Sequence, residues 1–235
     1  MGDRVVTNRP ARPGSIRVLF IGNSLTYWNE MPWLLEQVAG GAPGISAEFV
    51  GGSGMSLRQH WDRGRALRAI RERPWDYVVL QGQSIEPRAA PRQFARYARM
   101  LDEEIRRRGA KTVFFVTWAP EGDAQAPITE GYLAIARDLG ALAARVDVAW
   151  QDLSRRGLAL YDGSGLHPSF AGSYLSACVF YATFTKKTPV GRPHRFVVDF
   201  EIDESYRADL ENNRLTAAEA LRIQKAAWEA VRPAR

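Results

Sequence analysis

Short apolar runs alternate along the chain with stretches whose apolar positions recur every three to four residues. Arg17–Gly22 (RVLFIG) reads as a buried strand and Met31–Ala39 as a helix. Ile45–Val50 predicts a second strand, followed by a glycine-rich turn at Gly51–Gly54 and an amphipathic stretch over Leu57–Arg71. Asp76–Gln81 predicts a third strand, Gln93–Arg107 a helix, Lys111–Trp118 a fourth strand, Ile128–Leu142 a helix and Val146–Trp150 a short fifth strand. This strand–helix alternation predicts an α/β fold, a parallel sheet of roughly five strands wound by helices on both faces. Beyond it come a glycine-rich loop over Ala159–Pro168, an apolar helix over Phe170–Phe184, a proline-containing loop at Thr188–Arg195, a strand at Phe196–Phe200 and a helix at Ala217–Val231. The organisation expected is an N-terminal extension (1–15), one α/β domain (16–187), and a tail (188–235) whose helix packs on the same domain.

Composition narrows the class. Over 235 residues, 46% hydrophobic and 25% charged content fits a soluble globular chain and excludes disordered, collagenous and disulfide-scaffold proteins. A single cysteine, Cys178, cannot close an internal disulfide or build a cysteine zinc site. No apolar run approaches the roughly 20 residues a membrane helix needs, and Met1–Ser15 lacks the apolar stretch of a secretory signal, so a cytoplasmic protein without a membrane partner is expected. The net charge of +6 raises the question of nucleic acid. The arginines between Arg63 and Arg73 and between Arg88 and Arg99 fall at helical spacing among apolar residues, the pattern of solvated faces without aromatic stacking platforms, so no nucleic-acid partner is expected.

In an open parallel sheet, ligands gather at the carboxyl ends of the strands. There the chain carries Gly22-Asn23-Ser24-Leu25-Thr26, then Gly51-Gly52-Ser53-Gly54, then Gln81-Gly82-Gln83-Ser84, and in its last tight loop Tyr161-Asp162-Gly163-Ser164-Gly165-Leu166-His167-Pro168. Ser24 follows a sharp glycine turn at the start of a helix, a placement that suits a nucleophile but that by itself a helix cap or turn residue also explains. Of the three histidines, His167 is the candidate base, because Pro168 and the flanking glycines put it in a cleft-facing loop. Acyl transfer also needs donors for an oxyanion, and Ser24, Gly54 and Gln83 come from three strand ends that can converge. Tyr27, Trp28, Trp33, His60 and Trp61 follow the first two strand ends and are placed either to wall a cleft or to pack helices. The G-x-S-x-G elbow is absent because Thr26 stands at its second glycine, and no Walker lysine, dinucleotide fingerprint or metal-ligand spacing is present.

Together, Gly22-Asn23-Ser24-Leu25, the glycine turn, Leu80-Gln81-Gly82-Gln83-Ser84 and His167-Pro168 resemble the blocks of the SGNH (GDSL-type) hydrolase superfamily over roughly residues 16–187. The match is to the branch with Ile-Gly-Asn-Ser in block I and Leu-Gln-x-Gln-Ser in block III. The resemblance implies a three-layer, flavodoxin-like fold and cofactor-free hydrolysis of carboxylic esters, often short acyl groups on carbohydrates. It implies Ser24 as nucleophile, His167 as general base, and Ser24, Gly54 and Gln83 as oxyanion donors, with Gly52 the alternative in block II. Asn23, Trp28 and His60 are the expected substrate contacts, and no metal is implied. One departure stands out: where the family has aspartate three positions before the histidine, this chain has Ser164, and Asp162 is the nearest carboxylate. Two readings follow, an esterase using Asp162, or a catalytically degenerate protein that binds a small ligand or sugar in the same cleft.

Overall fold

The computed structural model describes residues 4–6, 13–40, 44–198, 210 and 215–232. Six strands form one sheet: β1 (Arg4–Val6), β2 (Ile16–Gly22), β3 (Ile45–Gly51), β4 (Tyr77–Leu80), β5 (Lys111–Phe115) and β6 (Leu142–Ala144), in the order β1-β3-β2-β4-β5-β6. Strands β2 to β6 run parallel, and β1 pairs antiparallel with the outer edge of β3. Among the parallel strands this is the doubly wound order of flavodoxin-like folds, so the carboxyl ends of β2, β3 and β4 open on one crevice.

Side-chain alternation along the strands divides the core. Val18, Phe20, Phe49, Val79, Val113 and Phe115 face one layer, while Leu19, Ile21, Val78, Leu80 and Phe114 face the other. The first layer holds α2 (Met31–Ala39), α8 (Val146–Arg155), α9 (Phe170–Thr185) and α10 (Ala217–Val231). On the opposite face lie α3 (Leu57–Arg63), α4 (Arg65–Glu72), α6 (Pro91–Arg107) and α7 (Ala126–Leu139). Two single-turn helices, α1 (Ser24–Tyr27) and α5 (Glu86–Ala89), sit at the strand ends. Helix α9 is buried on every side from Phe170 to Phe184, as expected of an apolar helix roofed by others, and α10 adds Ala220, Ile223 and Ala227 to the same core.

The predicted elements need four corrections. The fifth parallel strand is Leu142–Ala144, and Val146–Trp150 begins α8, because Val146, Ala149, Trp150 and Leu153 recur at helical spacing and all point inward. The stretch Leu57–Arg71 is two helices, broken where Gly64 takes a left-handed φ of 72°. The N-terminal extension contributes the edge strand β1. Of the strand expected at Phe196–Phe200, residues 196–198 have no regular structure and the last two lie outside the described residues.

Backbones approach closely at the crevice. Gly22 and Gly51 are register partners at the ends of β2 and β3, and a Cβ on Gly51 would come within 2.0 Å of the Gly22 carbonyl oxygen. Only glycine permits that contact.

Candidate active site

Ser24 opens α1 directly at the end of β2 and is 7% exposed. Asn23 caps the helix, its Oδ1 accepting the Leu25 N–H at 3.1 Å. The Asn23 side-chain amide also donates to the carbonyls of Met55 (3.0 Å) and Gly82 (3.3 Å), tying the ends of three strands together. Asn23 is 2% exposed with both side-chain polar atoms engaged, so it positions the turn and does not present itself to a substrate. Gln81, fully buried, accepts at Oε1 from the Asn23 N–H (2.8 Å) and the Thr26 hydroxyl (2.9 Å).

His167 enters from the opposite side on the loop before α9. Its Nε2 lies 3.0 Å from Ser24 Oγ, a hydrogen bond in which the serine hydroxyl donates when the ring proton is on Nδ1. The loop closes on itself. The Asp162 N–H donates to the His167 carbonyl (2.9 Å), Gly165 N–H to the Asp162 carbonyl (3.2 Å), and Trp118 Nε1 to the Leu166 carbonyl (3.0 Å). Asp162 divides its carboxylate: Oδ1 accepts from the Ser164 N–H at 2.9 Å and from the Ser164 hydroxyl, while Oδ2 faces His167 Nδ1 at 4.0 Å. Ser164 Oγ is 3.4 Å from the same nitrogen and accepts the N–H groups of Leu166 and His167. The carboxylate therefore faces the ring beyond the usual hydrogen-bond range of about 2.7–3.2 Å. The indole of Trp28 stacks on the imidazole, with centroids 4.1 Å apart and planes 12° apart.

The oxyanion candidates lie on two neighbouring turns. Gly54 is exposed at a left-handed φ of 65°, whereas Gly52 is buried and accepts the Met55 N–H at 3.3 Å. Gln83 is half-buried. Its Oε1 accepts the Ile85 N–H (3.1 Å), and its Nε2 donates one of two hydrogens to Ser84 Oγ (2.8 Å). Glu86 joins the two turns: its Oε2 accepts N–H groups from Gln83 (3.1 Å) and from Leu57 (3.4 Å) at the start of α3. Burial pushes the Glu86 carboxyl above the ordinary carboxylate range, and the two backbone donors pull partly back. Tyr132 accepts the Gly82 N–H at 3.0 Å, and its complete burial drives the phenol pKa upward.

The expected contact His60 falls elsewhere, and of the two placements open to Trp33 and Tyr27 the packing one is found. His60 is 1% exposed and bonds the Gly22 carbonyl at 2.9 Å through Nε2, so it fastens β2 and does not line the cleft. Trp33 lies in the core, and Tyr27 packs edge-on against Phe49. The positioning roles of Gln81, Glu86 and Tyr132 have no counterpart in the sequence reading, since nothing local to them announces a partner 50 or more residues away for Gln81 and Tyr132, or 29 for Glu86. Among the described residues, no cluster of three or more His, Cys, Asp or Glu could hold a metal ion, and no helix is long and apolar enough to cross a membrane.

No family model and no curated protein matches the chain. Solved structures do. A Bacteroides uniformis protein of the DUF4886 family superposes with TM-score 0.71 at 18% identity, covering 92% of this chain and 95% of its own. A variant of Axe2, an acetyl-xylooligosaccharide esterase from Geobacillus, superposes with TM-score 0.54 at 16% identity over 74% of this chain and 95% of its own, a likeness of fold alone. A Slackia heliotrinireducens protein assigned as an SGNH hydrolase is 32% identical, with TM-score 0.62, over 72% of this chain and 99% of its own. With about a third of residues identical over the whole of that relative, and the strand order and the Ser24–His167 pair as described, this chain belongs to the SGNH hydrolases.

Proposed function

We propose that the protein is a serine esterase that hydrolyses carboxylic esters, short acyl groups carried on a hydroxylated alcohol such as a carbohydrate. The observation that carries this reading is the 3.0 Å contact between Ser24 Oγ and His167 Nε2 at the carboxyl end of β2. As Oγ attacks the ester carbonyl carbon, its proton passes to Nε2 and the carbonyl oxygen becomes an oxyanion. The Ser24 N–H, the glycine turn at Gly54 or Gly52, and the Gln83 amide are the donors assigned to that charge. The imidazolium then gives its proton to the departing alkoxide, leaving acyl-Ser24, and water repeats the sequence to release the acid. Asp162 Oδ2, facing Nδ1, is the carboxylate that pairs with the imidazolium. Beside the His167 loop, a cleft of about 560 Å³ has walls of mixed character, Gln83, Ser84, Glu121 and the Arg88–Asp123 ion pair beside Ile85, Pro120 and Leu166, which suits an alcohol with both hydroxyl and carbon faces.

The 4.0 Å gap between Asp162 and His167 favours the second reading, a sugar-binding protein whose chemistry has lapsed. Treatment with a fluorophosphonate followed by intact-mass measurement separates the two. The esterase takes up one adduct, and Ser24→Ala takes up none. A wild-type protein that stays unlabelled while a serine esterase control reacts overturns the catalytic reading.

A further inference from the structure

The chain just after α1 is folded in a way that α1 itself does not require. Asn29 and Glu30, neither of them glycine, both occupy the left-handed region, at φ 52° and 50°. Two such residues in succession are unfavourable for side chains with a Cβ and persist where the surroundings enforce them. At the head of this turn, Trp28 lies flat on His167, centroids 4.1 Å apart and planes 12° apart. The same turn grips the segment that follows the histidine. Asn29 Nδ2 donates to the Pro168 carbonyl (3.1 Å) and to Ser173 Oγ (3.0 Å), and Ser173 Oγ donates to the Trp28 carbonyl (3.1 Å). Contact through the ring face leaves both in-plane nitrogens to other groups, Nε2 to Ser24 at 3.0 Å and Nδ1 to Ser164 and Asp162 at 3.4 and 4.0 Å. The imidazole is thus held closely on its face and on its Ser24 edge, and loosely on the edge where a triad acid grips it.

We propose that Trp28 is a positioning residue for His167: its indole fixes the plane of the ring and, once the ring has taken the Ser24 proton, its π face stabilises the imidazolium, part of the service a tightly bonded acid provides. The proposal rests on the esterase reading. It also distinguishes Trp28 from a mere substrate wall, because a wall acts whether or not the histidine is present.

The experiment is the second-order rate of fluorophosphonate modification of Ser24, followed by intact mass. In that reaction the Oγ–P bond forms, the P–F bond breaks with loss of fluoride, and His167 takes the serine proton. Trp28→Leu is expected to slow labelling about 3- to 30-fold, the scale of a cation–π contact at a partly exposed site, and Trp28→Phe, which restores an aromatic face, to recover most of the rate. In a His167→Ala background, labelled at high probe concentration, Trp28→Leu is expected to change nothing further. Asn29→Gly keeps the left-handed backbone while cutting the ties to Pro168 and Ser173, so it is expected to slow labelling with at most a modest fall in the melting temperature. Equal rates for wild type, Trp28→Leu and Asn29→Gly overturn the proposal, as does a Trp28→Leu effect of the same size with and without His167. A wild-type protein that does not label removes the esterase reading and this one with it, whereas a labelled wild type with an indifferent Trp28 removes only this one.

Discussion

The two sides of the Ser24–His167 pair are built differently. Ser24 stands on three strand ends cross-tied by Asn23, Gln81, His60, Glu86 and Tyr132, each between 0 and 4% exposed and each bonded to backbone of a neighbouring turn. His167 stands on a partly exposed loop whose order comes from its own short-range hydrogen bonds and from the Trp28–Asn29 turn above it. Buried hydrogen bonds of this kind restrict the geometry, and losing one partner leaves the other costly. The nucleophile's aim is therefore welded to the stability of the fold, while the base's aim can be altered locally without unfolding anything.

That contrast can be broken or sharpened by substitution. The largest effect belongs to Ser24→Ala: turnover of an aryl acetate is expected to fall by about 10⁴-fold or more, with the melting temperature unchanged or slightly raised. Asp162→Asn comes next. In a tight triad, losing the ionised acid costs about 10⁴-fold, so at 4.0 Å a fall of roughly 10- to 100-fold in kcat with little change in KM is expected. A full loss would mean that the carboxylate closes onto the ring during turnover. Tyr132→Phe tests the other side, since it strands the buried Gly82 N–H. A loss of about 1–3 kcal/mol, or roughly 2–4 °C of melting temperature per kcal/mol, is expected, visible by calorimetry. The smallest effect is that of Glu86→Gln. Burial raises the Glu86 carboxyl, so its contribution to stability is present below the ordinary carboxylate range and is lost as pH rises through the raised value. The amide keeps an oxygen for the Gln83 and Leu57 N–H groups, so the variant should melt with wild type in acid and slightly above it near neutrality. Equal melting at both pH values would show that Glu86 ionises without penalty.

Much of this architecture is legible in the sequence, for identifiable reasons. The β2, β3, β4 and β5 runs are buried on both faces and end at glycine or polar turns, a signal that survives without any tertiary knowledge. Ser24 and His167 are legible because each sits at such an end beside a residue, Gly22 or Pro168, that constrains the backbone. The fifth strand is misread because five residues, Val146–Trp150, are too short to separate a period of 2 from one of 3.6; three more, reaching Leu153, resolve it. His60 misleads and Glu86 goes unread for a different reason. A histidine before Trp61 looks like a cleft-facing group and a glutamate before Pro87 carries no signal at all, and only the distant turns that fold over them turn both inward. Side chains that work through partners far along the chain leave no local trace.

The three-residue strand β1 has a consequence for how the protein behaves among its own copies. By pairing antiparallel along Phe49–Gly51, it occupies the outer N–H and C=O groups of β3, groups that would otherwise template a strand from another molecule. A chain lacking residues 1–7 keeps its catalytic groups but bares that edge on the side of the sheet next to the Gly51 turn. Intermolecular strand addition, read as concentration-dependent growth in light scattering, is the fate to which such a truncation exposes it.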